Sequence, residues 1–234
     1  MRHIISAACG LWLALCGTAF AQSSEPVVVV ELYTSQGCSS CPPADEYLET
    51  LIKNRQVIPL SLHVDYWDYI GWPDAFAQAR FTDRQKAYAR AAGSRTIYTP
   101  QLIVAGLDRV EGHRPAEVER LIAAHLGKAP RVRLWLERKG ERLIIRAEAV
   151  PPLTHAARVQ LVRYRPSQTV TIERGENAGR TVDYHNIVTS WQPLAQWAGT
   201  SPLEIETEAA GAEPVVVILQ AEGPAEILAA ARLD

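Results

Sequence analysis

The run Val27-Val28-Val29-Val30-Glu31-Leu32-Tyr33 leads without a break into Thr34-Ser35-Gln36-Gly37-Cys38-Ser39-Ser40-Cys41-Pro42-Pro43, and a helical pattern leaves it. A nearly continuous apolar run of this length is the mark of a central, buried strand. Tyr47, Leu48, Leu51 and Ile52 recur at helical spacing, so a helix is expected from about Pro42 to Lys53. Proline is tolerated in a first helical turn, where its missing N–H costs no hydrogen bond. Two cysteines therefore sit where a strand hands over to a helix. The unpaired N–H groups and partial positive charge of a first turn favour thiolate over thiol. A thiolate there attacks disulfides, and the second cysteine is close enough to close a ring with it.

Val57 to Val64 is a second strand, and two strands joined by a helix imply a βαβ unit with a parallel pair. The aromatic stretch Asp65-Tyr66-Trp67-Asp68-Tyr69-Ile70-Gly71-Trp72-Pro73 follows and fits no simple period. Thr82-Asp83-Arg84-Gln85 reads as a capping box opening a helix to about Ala92, ended by Gly93. Thr99-Pro100 turns into a third strand, which returns through Gly106-Leu107-Asp108 as Arg109-Val110-Glu111, and Pro115 opens a last helix. Gly127-Lys128-Ala129-Pro130 reads as a linker. Beyond it the pattern is β throughout: a hairpin from Val132-Glu137 to Arg142-Ala149, then Val159–Tyr164, Thr169–Glu173, Thr181–Val188, Leu203–Thr207 and Val215–Gln220. Short alternating strands at this spacing argue for an antiparallel sandwich over residues 131–234.

Residues 1–21 read as a secretory signal peptide: a basic start at Met1-Arg2-His3, an apolar stretch to Phe20 and a small-x-small cleavage pattern at Ala19-Phe20-Ala21. The stretch is short for a spanning helix, so no stable membrane span is expected after cleavage. Cys9 and Cys16 leave with it, and Cys38 and Cys41 become the only pair. Loss of Arg2 takes the formal charge from −2 to −3, with no basic stripe of the kind that nucleic acid needs. A periplasmic or secreted location permits disulfides. A disulfide between cysteines three positions apart closes a tiny loop, so stabilisation is a weak reason to have it.

Residues 26–126 resemble a thioredoxin-fold domain in the strand before Cys38-Ser39-Ser40-Cys41, the helix after it and the later Thr99-Pro100. The whole chain, including His63-Val64-Asp65-Tyr66-Trp67-Asp68 and Gly175-Glu176-Asn177-Ala178-Gly179-Arg180, is similar to a bacterial family of secreted thioredoxin-like proteins of unassigned function. The fold expected is thus an α/β thioredoxin-like domain followed by an antiparallel β-sandwich domain. The resemblance implies that Cys38 is the nucleophile, Cys41 the resolving cysteine and Pro100 a cis-proline beside them. It gives Thr99 a place in holding an extended substrate by its backbone.

Glu31, in its apolar run, is either a buried acid that takes the Cys41 proton or a strand carboxylate paired with a nearby base. Tyr66 and Trp67 offer either a binding platform for a partner protein or a small satellite core. His63 and Asp65 flank Val64 on one strand face and are expected to form a hydrogen-bonded pair; with the cysteines they offer a copper(I) site as the alternative. A structural zinc site lacks a second cysteine pair. The function expected is thiol–disulfide exchange on protein or small-molecule disulfides, without an organic cofactor or metal, with a redox donor or acceptor as a further partner. A copper-handling protein and a non-catalytic binding module are the alternatives.

Overall fold

Strand alternation in the first long strand decides what packs on either side of it. Val28, Val30 and Leu32 face one way, towards Ala44, Leu48 and Val118, while Val29 and Tyr33 face the other, towards Phe81 and Tyr88. In the computed structural model, which describes residues 22–23 and 25–234, this strand is β2, Val28–Thr34, after a two-residue β1, Gln22–Ser23. The order continues with α1 (Pro42–Ile52), β3 (Val57–His63), α2 (Ala79–Ala91), β4 (Gln101–Val104), β5 (Asp108–Glu111) and α3 (Pro115–Leu126). Then come β6 (Val132–Lys139), β7 (Arg142–Ala149), β8 (Ala157–Thr171), β9 (Thr181–Trp197), β10 (Leu203–Glu208), β11 (Val215–Ala221) and β12 (Ile227–Leu233). The expected signal peptide, with Cys9 and Cys16, lies outside the described residues. Among those residues, no helix is long and apolar enough to cross a membrane.

The expected α/β thioredoxin-like domain followed by an antiparallel β-sandwich is corrected by the sheet topology. One mixed sheet runs β12-β11-β8-β9-β3-β2-β4-β5, so strands from both halves of the chain share it. The joint is a parallel pairing of β3 with β9 at Ser61 and Ile187. A second sheet, β1-β6-β7-β10, packs its Leu134, Leu143 and Ile145 against Val159, Leu161 and Val217 of the large one. The molecule is mostly β, with three α-helices among the described residues. The sequence pattern identified the strands but not their partners, because pairing is fixed by contacts between residues far apart in the chain.

Two local differences have plain causes. The expected cap at Thr82 is inside α2, which begins at Ala79 after Gln78; the Thr82 hydroxyl instead donates to Asp65 Oδ1 at 2.5 Å. The two strand candidates on either side of Arg165-Pro166-Ser167 are a single strand, β8. Pairing of β8 with β9 passes over Pro166, which has no N–H to give, and over Asn186, which has a φ of 45°.

Candidate active site

Cys41 is the residue before α1, and Pro42 and Pro43 fill its first turn. The preceding turn is held tightly by its backbone: Cys38 N donates to Ser35 O at 3.1 Å, and Cys41 N to Cys38 O at 3.2 Å. Cys38 and Cys41 are joined as a disulfide, with Cα atoms 5.4 Å apart. Both are buried, at 1% and 0% exposure, and Ser39 and Ser40 between them are exposed. The Ser40 hydroxyl lies 3.5 Å from Cys38 Sγ.

Two distant segments close over this turn. Asn177, at the tip of the β8–β9 hairpin, donates from its side-chain amide to Gln36 O and to Cys38 O, both at 2.9 Å. Asn177 is itself buried. The aromatic segment supplies the second cover: Trp72 Nε1 donates to Gln36 Oε1 at 2.8 Å. A Cβ on Gly37 would stand 3.1 Å from Trp67 Cβ and 3.2 Å from Ile70 Cδ1, so a side chain at position 37 would have to push this segment away.

Beneath the turn lies a buried group of titratable side chains, of which the sequence pattern brought out His63 but not Asp45 or Asp74. His63, completely buried, donates from Nδ1 to Asp74 Oδ2 at 2.7 Å. The same carboxylate accepts from Gln36 N at 2.8 Å, and its Oδ1 accepts from Phe76 N at 2.9 Å. Burial pulls the His63 pKa down, but Asp74 beside it outweighs that and holds it above the ordinary histidine value. For Asp74 burial pushes upward, and His63 with the two backbone donors prevails, leaving it below the usual carboxylate range. Asp45 stands one helical turn beyond Cys41, its N–H bonded to Cys41 O at 3.1 Å. It is 3% exposed, and both carboxyl oxygens lack a hydrogen-bond partner. Burial raises its pKa to about 7, against partial downward pulls from His63 and from the nearby Thr34 hydroxyl. Thr34 Oγ1, Ser61 Oγ and His63 Nε2 are buried and unpartnered as well.

Several expected site residues are placed elsewhere. Glu31 is not brought to the cysteines. It faces α2, where its carboxylate accepts from Arg84 Nε and Nη2 at 2.7 Å each, from Tyr88 at 2.7 Å and from Tyr33 at 2.9 Å. Of its two expected readings, the paired strand carboxylate is the one whose geometry is present. His63 pairs with Asp74 and not with Asp65, because β3 ends at His63 and Asp65 turns away to Thr82. Thr99 precedes a cis peptide bond to Pro100, and its hydroxyl accepts from Trp67 Nε1 at 2.7 Å. Trp67 thereby links the Gly37 contact to the Thr99-Pro100 turn. Tyr66 and Trp67 are half-buried against the large core, whereas Tyr69 is 81% exposed. Among the described residues, no group of three or more His, Cys, Asp or Glu is placed to hold a metal ion.

Asp45 carried a signal that could have been found: four positions after Cys41 in a helix, it lies on the same face one turn on. Asn177 stands in the Gly175–Arg180 stretch that carries the resemblance, without a role attached to it, and Asp74 carried no signal, since only the folded chain brings the two to Gln36.

A family model described as a protein of unknown function, DUF1223, matches residues 29–220. The chain belongs to the DUF1223 family. The match begins within β2 and ends within β11, so in this DUF1223 chain it takes in the cysteine pair, Asp45, His63, Asp74 and Asn177. The crystal structure of protein AGR_C_4864 from Agrobacterium tumefaciens is similar over 90% of the DUF1223 chain and 95% of its own, with 35% identity and a TM-score of 0.77. HBP35 of Porphyromonas gingivalis is similar in fold, with a TM-score of 0.65 at 14% identity, covering 89% of this chain and 75% of its own. No curated protein matches this DUF1223 chain.

Proposed function

We propose that this protein is a periplasmic or secreted thiol–disulfide oxidoreductase acting through Cys38 and Cys41. The observation that carries the reading is the disulfide at the opening of α1 with the unpartnered Asp45 carboxyl one turn behind it. In the oxidised protein a partner thiolate attacks Cys38 Sγ, the bond to Cys41 breaks, and Cys41 leaves as a thiolate. Asp45, protonated for part of the time near neutral pH, gives that thiolate a proton. A second partner thiolate then attacks the partner sulfur of the mixed disulfide and expels Cys38. Two electrons pass from the partner dithiol to the Cys38–Cys41 pair, and the partner leaves as a disulfide. The helix opening favours the Cys38 thiolate that results.

The burial of both cysteines favours a second reading, in which the disulfide is fixed and the protein is a binding module. The reduction potential, measured by equilibration against glutathione, separates the two. Catalytic pairs fall between about −120 and −270 mV, and structural disulfides below about −300 mV. Trapping a Cys38-linked partner with Cys41→Ser is the second arm. A potential below the catalytic range together with no trapped partner sinks the oxidoreductase reading.

A further inference from the structure

We infer that the protein has a second ligand site, remote from the disulfide, which takes a small organic carboxylate with a flat apolar body. A cavity of about 200 Å³ opens between α2, β8, β9 and the β11–β12 turn. Arg80, Arg84 and Arg158 line it, with Ala87, Trp191 and Pro224 as its apolar wall. It lies on the α2 side of the large sheet, whereas the cysteines open α1 on the other side.

The charges at this cavity do not balance. Arg84 is met by Glu31 in a two-pronged pair. Among the described residues, the Arg80 side chain hydrogen-bonds only the neutral Gln78, at 2.6 Å. The side chain of Arg158 has no hydrogen-bond or ion-pair partner among the described residues, and the residues beside it on the neighbouring strands are Gln196 and Gln220. Two guanidinium charges therefore border one cavity with no carboxylate against them. A bound carboxylate supplies the missing charge in the forked geometry that guanidinium prefers.

The floor is built in advance. Arg84 lies 3.9 Å over the Trp191 ring, and its Nη2 donates to Tyr88 at 2.9 Å and to Gln220 Oε1 at 3.2 Å. Trp191 Nε1 donates to Gln160 Oε1 at 2.9 Å, and Gln160 Nε2 to Gln220 Oε1 at 3.1 Å. Gln220 Nε2 donates to the Tyr88 hydroxyl at 2.8 Å. Each of these side chains is fixed by its neighbours, so a ligand meets the floor without ordering it first. The hydrogen bonds of Arg84 to the described residues run through Nε and Nη2, which leaves Nη1 for the ligand. The volume suits a molecule of about ten heavy atoms, and Ala87, Trp191 and Pro224 reward a flat apolar body over a bare ion.

Titration of the purified protein with benzoate, acetate and inorganic phosphate, followed by calorimetry, tests the site. Benzoate is expected to bind with one-to-one stoichiometry and more tightly than acetate or phosphate. Arg158→Ala and Arg80→Ala, both on exposed side chains, are each expected to weaken it about tenfold or more, the loss of one charge-assisted contact. Arg90→Ala, on the last turn of the same helix, and Cys38→Ala with Cys41→Ala are expected to leave it unchanged. Absence of benzoate binding, benzoate no tighter than acetate or phosphate, or equal affinity in the Arg158 and Arg80 variants overturns the proposal. A result here is independent of the redox reading, because the cysteine variant separates the two.

Discussion

Asp45 and Asn177 determine what the cysteine pair can do, from two different directions. With its folded pKa near 7 and its unfolded pKa near 3.8, Asp45 keeps its proton longer in the folded state. Its contribution to stability is fully present below the unfolded value and is lost as pH rises through the folded one. The amount is on the order of 4 kcal/mol between pH 4 and pH 7. Asp45→Asn cannot ionise, so urea unfolding at pH 8 is expected to find the variant more stable than the parent and the difference to vanish near pH 4. Asn177→Ala removes two hydrogen bonds to buried carbonyls, at a cost of about 1–3 kcal/mol. It also loosens the cover over Cys38, and reduction of the disulfide by dithiothreitol, followed by thiol labelling, is expected to be several-fold faster, on the order set by that loss. The cysteines themselves were legible in the sequence because their spacing and the prolines after them are local. Glu31 was legible as a carboxyl in an apolar strand, either a proton acceptor or the partner of a nearby base. Which face it takes follows from the register, and the base that meets it, Arg84, sits on a separate helix.

At the scale of elements, the joint between the two halves of the large sheet depends on a short parallel contact and one side chain. Asn186, with its φ of 45°, is in the left-handed region that asparagine tolerates better than most residues. Its amide donates to Pro59 O at 2.8 Å, across from β9 to β3. Asn186→Gly keeps the backbone free to adopt this φ and loses the bond; Asn186→Ala loses the bond and adds strain. Denaturant unfolding is expected to rank them parent, Gly, Ala, with Ala down by about 2 kcal/mol or more. Helix α1 was legible to within a residue, and α3 in its start at Pro115, because proline marks their starts and apolar spacing marks their faces. The start of α2 was not. Thr82 and Gln85 have the chemistry of a capping box, yet Thr82 binds Asp65 and Gln85 binds Gln101 Oε1 at 2.9 Å. Tertiary partners claimed both side chains.

At the scale of the molecule, strand periodicity found most of the strands but not the sheet, since period and turn signals do not reach across the chain. The break at Gly127–Pro130 reads as a boundary, and the large sheet crosses it through β3 and β9. A fragment of residues 22–130 leaves β3 with an unpaired edge and removes Tyr164, Val188 and Trp191 from the core that also holds Leu60, Phe81 and Tyr88. Such a fragment is expected to lack the cooperative unfolding transition of the whole chain, as followed by circular dichroism. A sharp transition in the fragment would mean that the first half stands alone.

The same joint sets an order of events during synthesis. The ribosome releases the cysteine turn and β3 long before it releases Asn177 and β9. Until then Cys38 lacks the side chain that later bridges its carbonyl to that of Gln36, and the edge of β3 is open to any strand that meets it. The nascent chain thus has an interval in which the cysteine turn lacks its Asn177 cover, and arrival of the hairpin ends it. Whether the pair is closed before or after that moment is a matter of timing, decided by the lag between two distant stretches of one polypeptide.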